Sequence, residues 1–173
     1  MDIHSLMQKF AELPNARVGQ GPKRWPYPNP TLQKEIDDFL EQYPFLRRDQ
    51  GYVDFLENYA GASADSSEEE TPSADELVVD LFGFNDGIAL HIVKDEGSIV
   101  SNKGFLCFCH TEVWNPELDP EFVVETNYLF DATEKRPAGI YRANSLNPEA
   151  VEWFGATFME WLELLISKKG KLA

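Results

Sequence analysis

The side chains best suited to chemistry crowd into one stretch, Gly104-Phe105-Leu106-Cys107-Phe108-Cys109-His110, which holds both cysteines and one of the three histidines of the chain. Thiolates and an imidazole could serve a zinc or a redox centre if they met. The apolar pattern predicts a strand over 105–113, in which successive side chains point to opposite faces. On strict alternation Cys107 and Cys109 share one face while Leu106, Phe108 and His110 share the other, so no single ion is held by all three. A structural zinc also needs four ligands, usually as two paired knuckles, and the chain has few candidates. The redox reading lacks a Cys-x-x-Cys at a helix start, where the dipole lowers a thiol pKa. The cysteines are therefore read as small buried hydrophobes, with no metal ligand assigned.

Nor do the other reactive residue types form a known constellation. His91 falls on the strand face opposite Ile88, Leu90 and Ile92, with no Ser or Asp pattern that marks it as a general base. Gly-x-Ser-x-Gly, a phosphate-binding glycine loop, Gly-x-Gly-x-x-Gly and His-Glu-x-x-His are all missing from the sequence. Adjacent carboxylates such as Asp37-Asp38 and Glu68 to Glu70 lack the apolar setting that raises a carboxylate pKa. No catalytic residue and no cofactor is predicted.

The elements around these residues read as a first helix at Ile3–Leu13, then a Gly- and Pro-rich stretch ending in Trp25-Pro-Tyr-Pro-Asn-Pro30. That stretch is either a polyproline-type ligand or, the favoured reading, an extended connector pinned by Trp25 and Tyr27. Asn29-Pro30 caps a second helix with the stripe Leu32, Ile36, Phe39, Leu40 and Tyr43. A short third helix carries Tyr52, Phe55, Leu56 and Tyr59, and Gly61 stops it. Residues 62–76, with six carboxylates and no large apolar side chain, predict a mobile acidic loop.

Past residue 76 the period changes to that of strands: Leu77–Phe82, a turn at Asn85-Asp86-Gly87, Ile88–Val93, a short segment at Ser98–Val100, Phe105–Val113, Asn127–Ala132 and Ala138–Ala143. Asn147-Pro148 is expected to open a last helix whose stripe is Val151, Phe154, Phe158, Trp161, Leu162 and Leu165. Helices, then a strand meander, then a helix predict a single α+β domain over 1–173, with an antiparallel sheet packed against helices from both ends of the sequence. Its parts are an N-terminal helix and connector over 1–29 and a core over 30–167.

Composition narrows the partners. With 30 acidic and 15 basic residues the formal charge is −15, which repels phosphate backbones and anionic lipid surfaces and excludes direct nucleic-acid or membrane binding. No run resembles a signal peptide or a membrane span, so a cytoplasmic location and reduced thiols are expected.

The segment Tyr52-x-x-Phe-Leu-x-x-Tyr-x-Gly61, the helix before it, the meander and the closing helix around Thr157-Phe158-Met159-Glu160-Trp161-Leu162 resemble the SMI1/KNR4 (SUKH) superfamily over roughly residues 30–167. Tyr52, Phe55, Leu56 and Gly61 match that family's motif as structural positions. The resemblance implies a non-catalytic protein-binding module: an immunity protein that neutralises a toxin, often a nuclease, in bacterial members, and a regulator of cell-wall glucan synthesis in fungal ones. An acidic protein is well suited to a basic nuclease. The expected contacts are Asp65, Glu68, Glu69, Glu70, Asp75 and Glu76, with Trp114 as an aromatic anchor. A regulatory or scaffold protein, and a ligand carrier or enzyme with a pocket between the sheet and the last helix, are the alternatives.

Overall fold

A computed structural model describes residues 1–66, 76–84, 103–114, 123–147 and 149–172. The expected elements at 85–87, 88–93 and 98–100, with His91, lie outside the described residues, as do Glu68, Glu69, Glu70 and Asp75. The helices are α1 (Ile3–Phe10), α2 (Pro30–Gln42), α3 (Gln50–Asn58) and α4 (Phe158–Ser167), and each begins where a side chain accepts a backbone N–H of the first turn. Asp2 accepts from Ser5, Asn29 from Leu32, Asp49 from Tyr52 and Thr157 from Glu160. Two short 3-10 turns, Pro22–Arg24 and Pro44–Arg48, use the prolines as starts.

The strands are β1 (Arg17–Val18), β2 (Ala62–Asp65), β3 (Leu77–Leu81), β4 (Phe105–Trp114), β5 (Val123–Asp131), β6 (Ile140–Asn144) and β7 (Glu152–Gly155). Among the described residues they form one seven-stranded sheet in sequence order, with each of the pairings antiparallel. The α+β class and the antiparallel meander with helices from both ends of the sequence are as expected. Among the described residues no helix is long and apolar enough to cross a membrane.

One face of the sheet carries the helices and the main core. Leu77, Val79 and Leu81 of β3, Phe108 and Cys109 of β4, and Tyr128 and Phe130 of β5 meet Phe10, Ile36, Tyr52, Phe55, Phe158 and Trp161 there. Tyr52, Phe55 and Leu56 are fully buried, and Tyr52 lies 4.9 Å from the Phe130 ring and 5.2 Å from that of Phe158. Such aromatic packing supplies much of the burial free energy of a core. The opposite, outer face has a smaller cluster of Phe105, Cys107, Leu129, Tyr141 and Ala143.

Four expectations are corrected. The loop expected from residue 62 begins later: Ala62–Asp65 pair with β3, because Ala62 and Ala64 fit the tight inner face. The last helix does not start at Asn147. Residues 145–147 form a turn in which Asn144 Oδ1 accepts from the N–H of Leu146 and of Asn147, Glu152–Gly155 pair with β6, and the helix starts at Thr157. The Pro-rich connector is not pinned by Tyr27, which is 77% exposed, whereas Trp25 donates to the Gln20 carbonyl at 3.0 Å. The fourth, the faces of β4, shapes the candidate site.

Candidate functional site

Strict alternation fails in the middle of β4. Cys107 is opposite Leu129 and Cys109 is opposite Tyr128, so two consecutive residues of β5 face three of β4, and Phe108 is the extra residue of a β-bulge. Phe108 and Cys109 therefore both turn inward. The expectation that Cys107 and Cys109 share a face is wrong: Cys109 sits in the main core and Cys107 in the outer cluster. The same shift takes His110 off the face of Phe108 and onto the outer face with Cys107.

There the cross-strand register builds a polar array. His110 stands opposite Asn127 on β5 and Asp80 on β3, and Glu112 stands opposite Glu125. His110 Nδ1 is 2.9 Å from Asn127 Oδ1, and its Nε2 is 3.3 Å from Glu112 Oε1. The Cys107 thiol donates to the Cys109 carbonyl at 3.4 Å and reaches Asn127 Oδ1 at 3.8 Å. Burial lifts the Asp80 carboxyl above its ordinary range; His110 opposes that rise, while Glu112 and Asp65 add to it. Burial, reinforced by Cys107 and Asp80, pushes the Cys109 thiol well above its ordinary value, which makes it an inert core residue.

The described members of the expected contact set gather at one end of this face. Asp65 is opposite Val78 in the β2–β3 pair, and the Trp114 N–H donates to the Glu76 carbonyl at 3.2 Å. Next to them the buried Oγ of Ser66 accepts from Leu77 N–H at 2.7 Å and donates to the Leu77 carbonyl at 3.3 Å. Asp65, Glu76 and Trp114, distant in sequence, thus flank the point where the acidic segment joins the sheet.

A second feature is a cleft of about 360 Å³ between the 44–48 turn, the starts of α3 and α4, and the β5–β6 connection. Its size is in the range of small-ligand sites. Its charges, however, are paired: Arg48 Nη2 with Glu134 at 3.0 Å and Arg136 Nη1 with Asp131 at 2.7 Å. The Arg136 guanidinium also lies 4.2 Å from the Phe105 ring and donates to the Lys103 carbonyl. Asp49 caps two helices at once, Oδ1 accepting from Tyr52 N–H at 3.3 Å and Oδ2 from Phe158 N–H at 2.7 Å. Burial raises the Asp49 pKa, with these hydrogen bonds opposing. At Asp131 burial also pushes upward but is outweighed by hydrogen bonds from Thr133 and Arg136, and the net shift is downward. The cleft offers a ligand shape and apolar surface more than uncommitted charge.

Sequence reasoning missed Asp80, Glu112, Glu125 and Asn127, because their proximity to His110 depends on strand register. The alternation Leu77-Val78-Val79-Asp80-Leu81 does place Asp80 on the polar face, which was the one local signal available. None of the family models, curated proteins or solved structures compared with this chain matches it.

Proposed function

We propose that this chain is a non-catalytic protein-binding module of the SMI1/KNR4 kind, an immunity-type protein that binds and neutralises a basic toxin such as a nuclease. The observation that carries the reading is that the strand register brings Asp65, Glu76 and Trp114 to one end of a sheet face bearing Asp80, Glu112 and Glu125. Carboxylates beside a large aromatic suit a basic partner, with charge steering the encounter and the indole supplying an anchor. The remaining contacts, Glu68, Glu69, Glu70 and Asp75, belong to the acidic segment 67–75, and neither cofactor nor metal is required for such binding.

The test is calorimetric titration against a basic nuclease-type protein encoded beside this gene. Submicromolar binding is expected, weakening at least tenfold when Asp65, Glu76 and Glu112 are changed together to Lys, and weakening as salt rises. No binding by the unaltered chain would overturn the immunity reading, and an unchanged affinity in the triple variant would overturn the surface assignment. Capture of a cell-wall synthesis component instead would favour the regulatory role.

A further inference from the structure

We propose that His110, Glu112 and Glu125 form a binding site for a divalent first-row transition metal ion of the Zn²⁺ type on the outer face of the sheet. The inference rests on the local geometry of β3, β4 and β5; it shares Glu112 and Glu125 with the proposed partner surface, but its test reads the ion alone and needs no partner.

Three observations converge. First, each of the three residues offers one donor atom, and these atoms lie within 4.8 Å of one another. Around a tetrahedral ion with metal–ligand bonds of about 2.0–2.2 Å, donors stand roughly 3.4 Å apart. His110 Nε2 and Glu112 Oε1, at 3.3 Å, are already at that spacing. A rotation within the exposed side chain of Glu125 brings in the third donor.

Second, the imidazole is oriented as a metal ligand. Asn127 Oδ1 faces both His110 Nδ1 and the Cys107 thiol. An oxygen there accepts from an Nδ1–H, and in the tautomer that carries this hydrogen the Nε2 lone pair faces the Glu112 carboxylate. A hydrogen bond from the non-ligating nitrogen to a carbonyl is the usual outer-shell support of a metal-bound histidine. In that tautomer a metal ion between Nε2 and the carboxylate takes the place that a proton fills in the imidazolium.

Third, the register gathers three carboxylates around a single imidazole, His110, which faces Glu112 at 3.3 Å. Glu112 and Glu125 are direct cross-strand partners, and like charges in that position are destabilising. Asp80 flanks His110 on its other side. Among the described residues, no Lys or Arg is ion-paired to any of these three carboxylates. One imidazole and two carboxylates suit Zn²⁺ or Mn²⁺ better than Mg²⁺, which prefers oxygen ligands alone. The bulge at Phe108 is what turns His110 onto this face, and bulges often re-aim a side chain at a functional site.

The experiment uses the full chain, stripped with a chelator and titrated with Zn²⁺ alone by calorimetry, with Co²⁺ absorption as a report of coordination. The expected result is saturable uptake of one ion per chain, with tetrahedral Co²⁺ bands and little response to Mg²⁺. His110→Ala and Glu125→Gln should each weaken Zn²⁺ binding at least tenfold while leaving the far-ultraviolet circular dichroism unchanged. If His110→Ala perturbs the sheet, Glu125→Gln carries the test alone, since Glu125 is exposed. Absence of saturable binding overturns the proposal. Retention of full affinity in both variants overturns it as well, because the ion would then be held by other carboxylates.

Discussion

Tyr52 carries a hydroxyl into the middle of the aromatic core, where Phe55, Phe108, Phe130 and Phe158 surround the ring. Its Oη is buried and has no hydrogen-bond partner among the described residues. Burial drives its pKa far above the phenol range, with Cys107 and Asp49 contributing in the same direction. A buried polar atom without a partner costs free energy that its removal recovers. Tyr52→Phe should therefore stabilise the protein by about 1 kcal/mol, read as a higher urea midpoint at unchanged slope. A loss of stability would mean that the hydroxyl is satisfied after all. Tyr52→Ala, in contrast, opens a cavity and should lower stability by about 3–5 kcal/mol. Burial at this position was legible from the 3.6-residue stripe, but the isolation of the hydroxyl was not, since it depends on strands far away in sequence.

At the scale of elements, Asp49 joins the starts of α3 and α4 through one carboxylate. Each cap contributes about 1 kcal/mol, so Asp49→Ala should lower stability by about 2 kcal/mol. Burial raises the folded-state pKa of Asp49 above the unfolded value, so on top of the capping hydrogen bonds a proton-linked contribution is fully present below the unfolded pKa and is lost as pH rises through the folded one. Asp49→Asn should remove that dependence, which melts over the acidic range would reveal. The cap of α2 at Asn29-Pro30 was readable from local order, whereas Asp49 was read only as part of a polar link and its capping of α3 was not. The start of α4 was misread because Asn147-Pro148 looks like a helix start, whereas the register with β6 recruits Glu152–Gly155 into the sheet. Thr157-x-x-Glu160 was the better signal, a capping pair immediately before the apolar run. The faces of β4 were misread for another reason: period-two reasoning assumes one residue per partner, and Phe108 breaks that assumption. The candidate site was legible as residue types at Asp65, Glu76 and Trp114, while the array around His110 needed the pairing of β3, β4 and β5.

At the scale of the whole molecule, the charge of −15 works against compactness. Screening should relieve this, so the melting temperature is expected to rise as sodium chloride increases from a few millimolar to physiological strength, where the Debye length is about 8 Å. A fall over that range would point to ion pairs such as Arg136–Asp131 as the dominant electrostatic contribution.

The sheet grows by neighbours: each strand pairs with the next in the chain. The helical layer does not, for α1 touches α4, and the carbonyl of Leu172 accepts from Thr111 on β4 at 3.1 Å. Strand pairing can thus advance as the chain leaves the ribosome, whereas the apolar side of α1, with Ile3, Leu6, Met7 and Phe10, meets α3 early and is completed only by residues synthesised at the far end of the domain. Until then part of that apolar side has no cover, and the docking of α4 completes it.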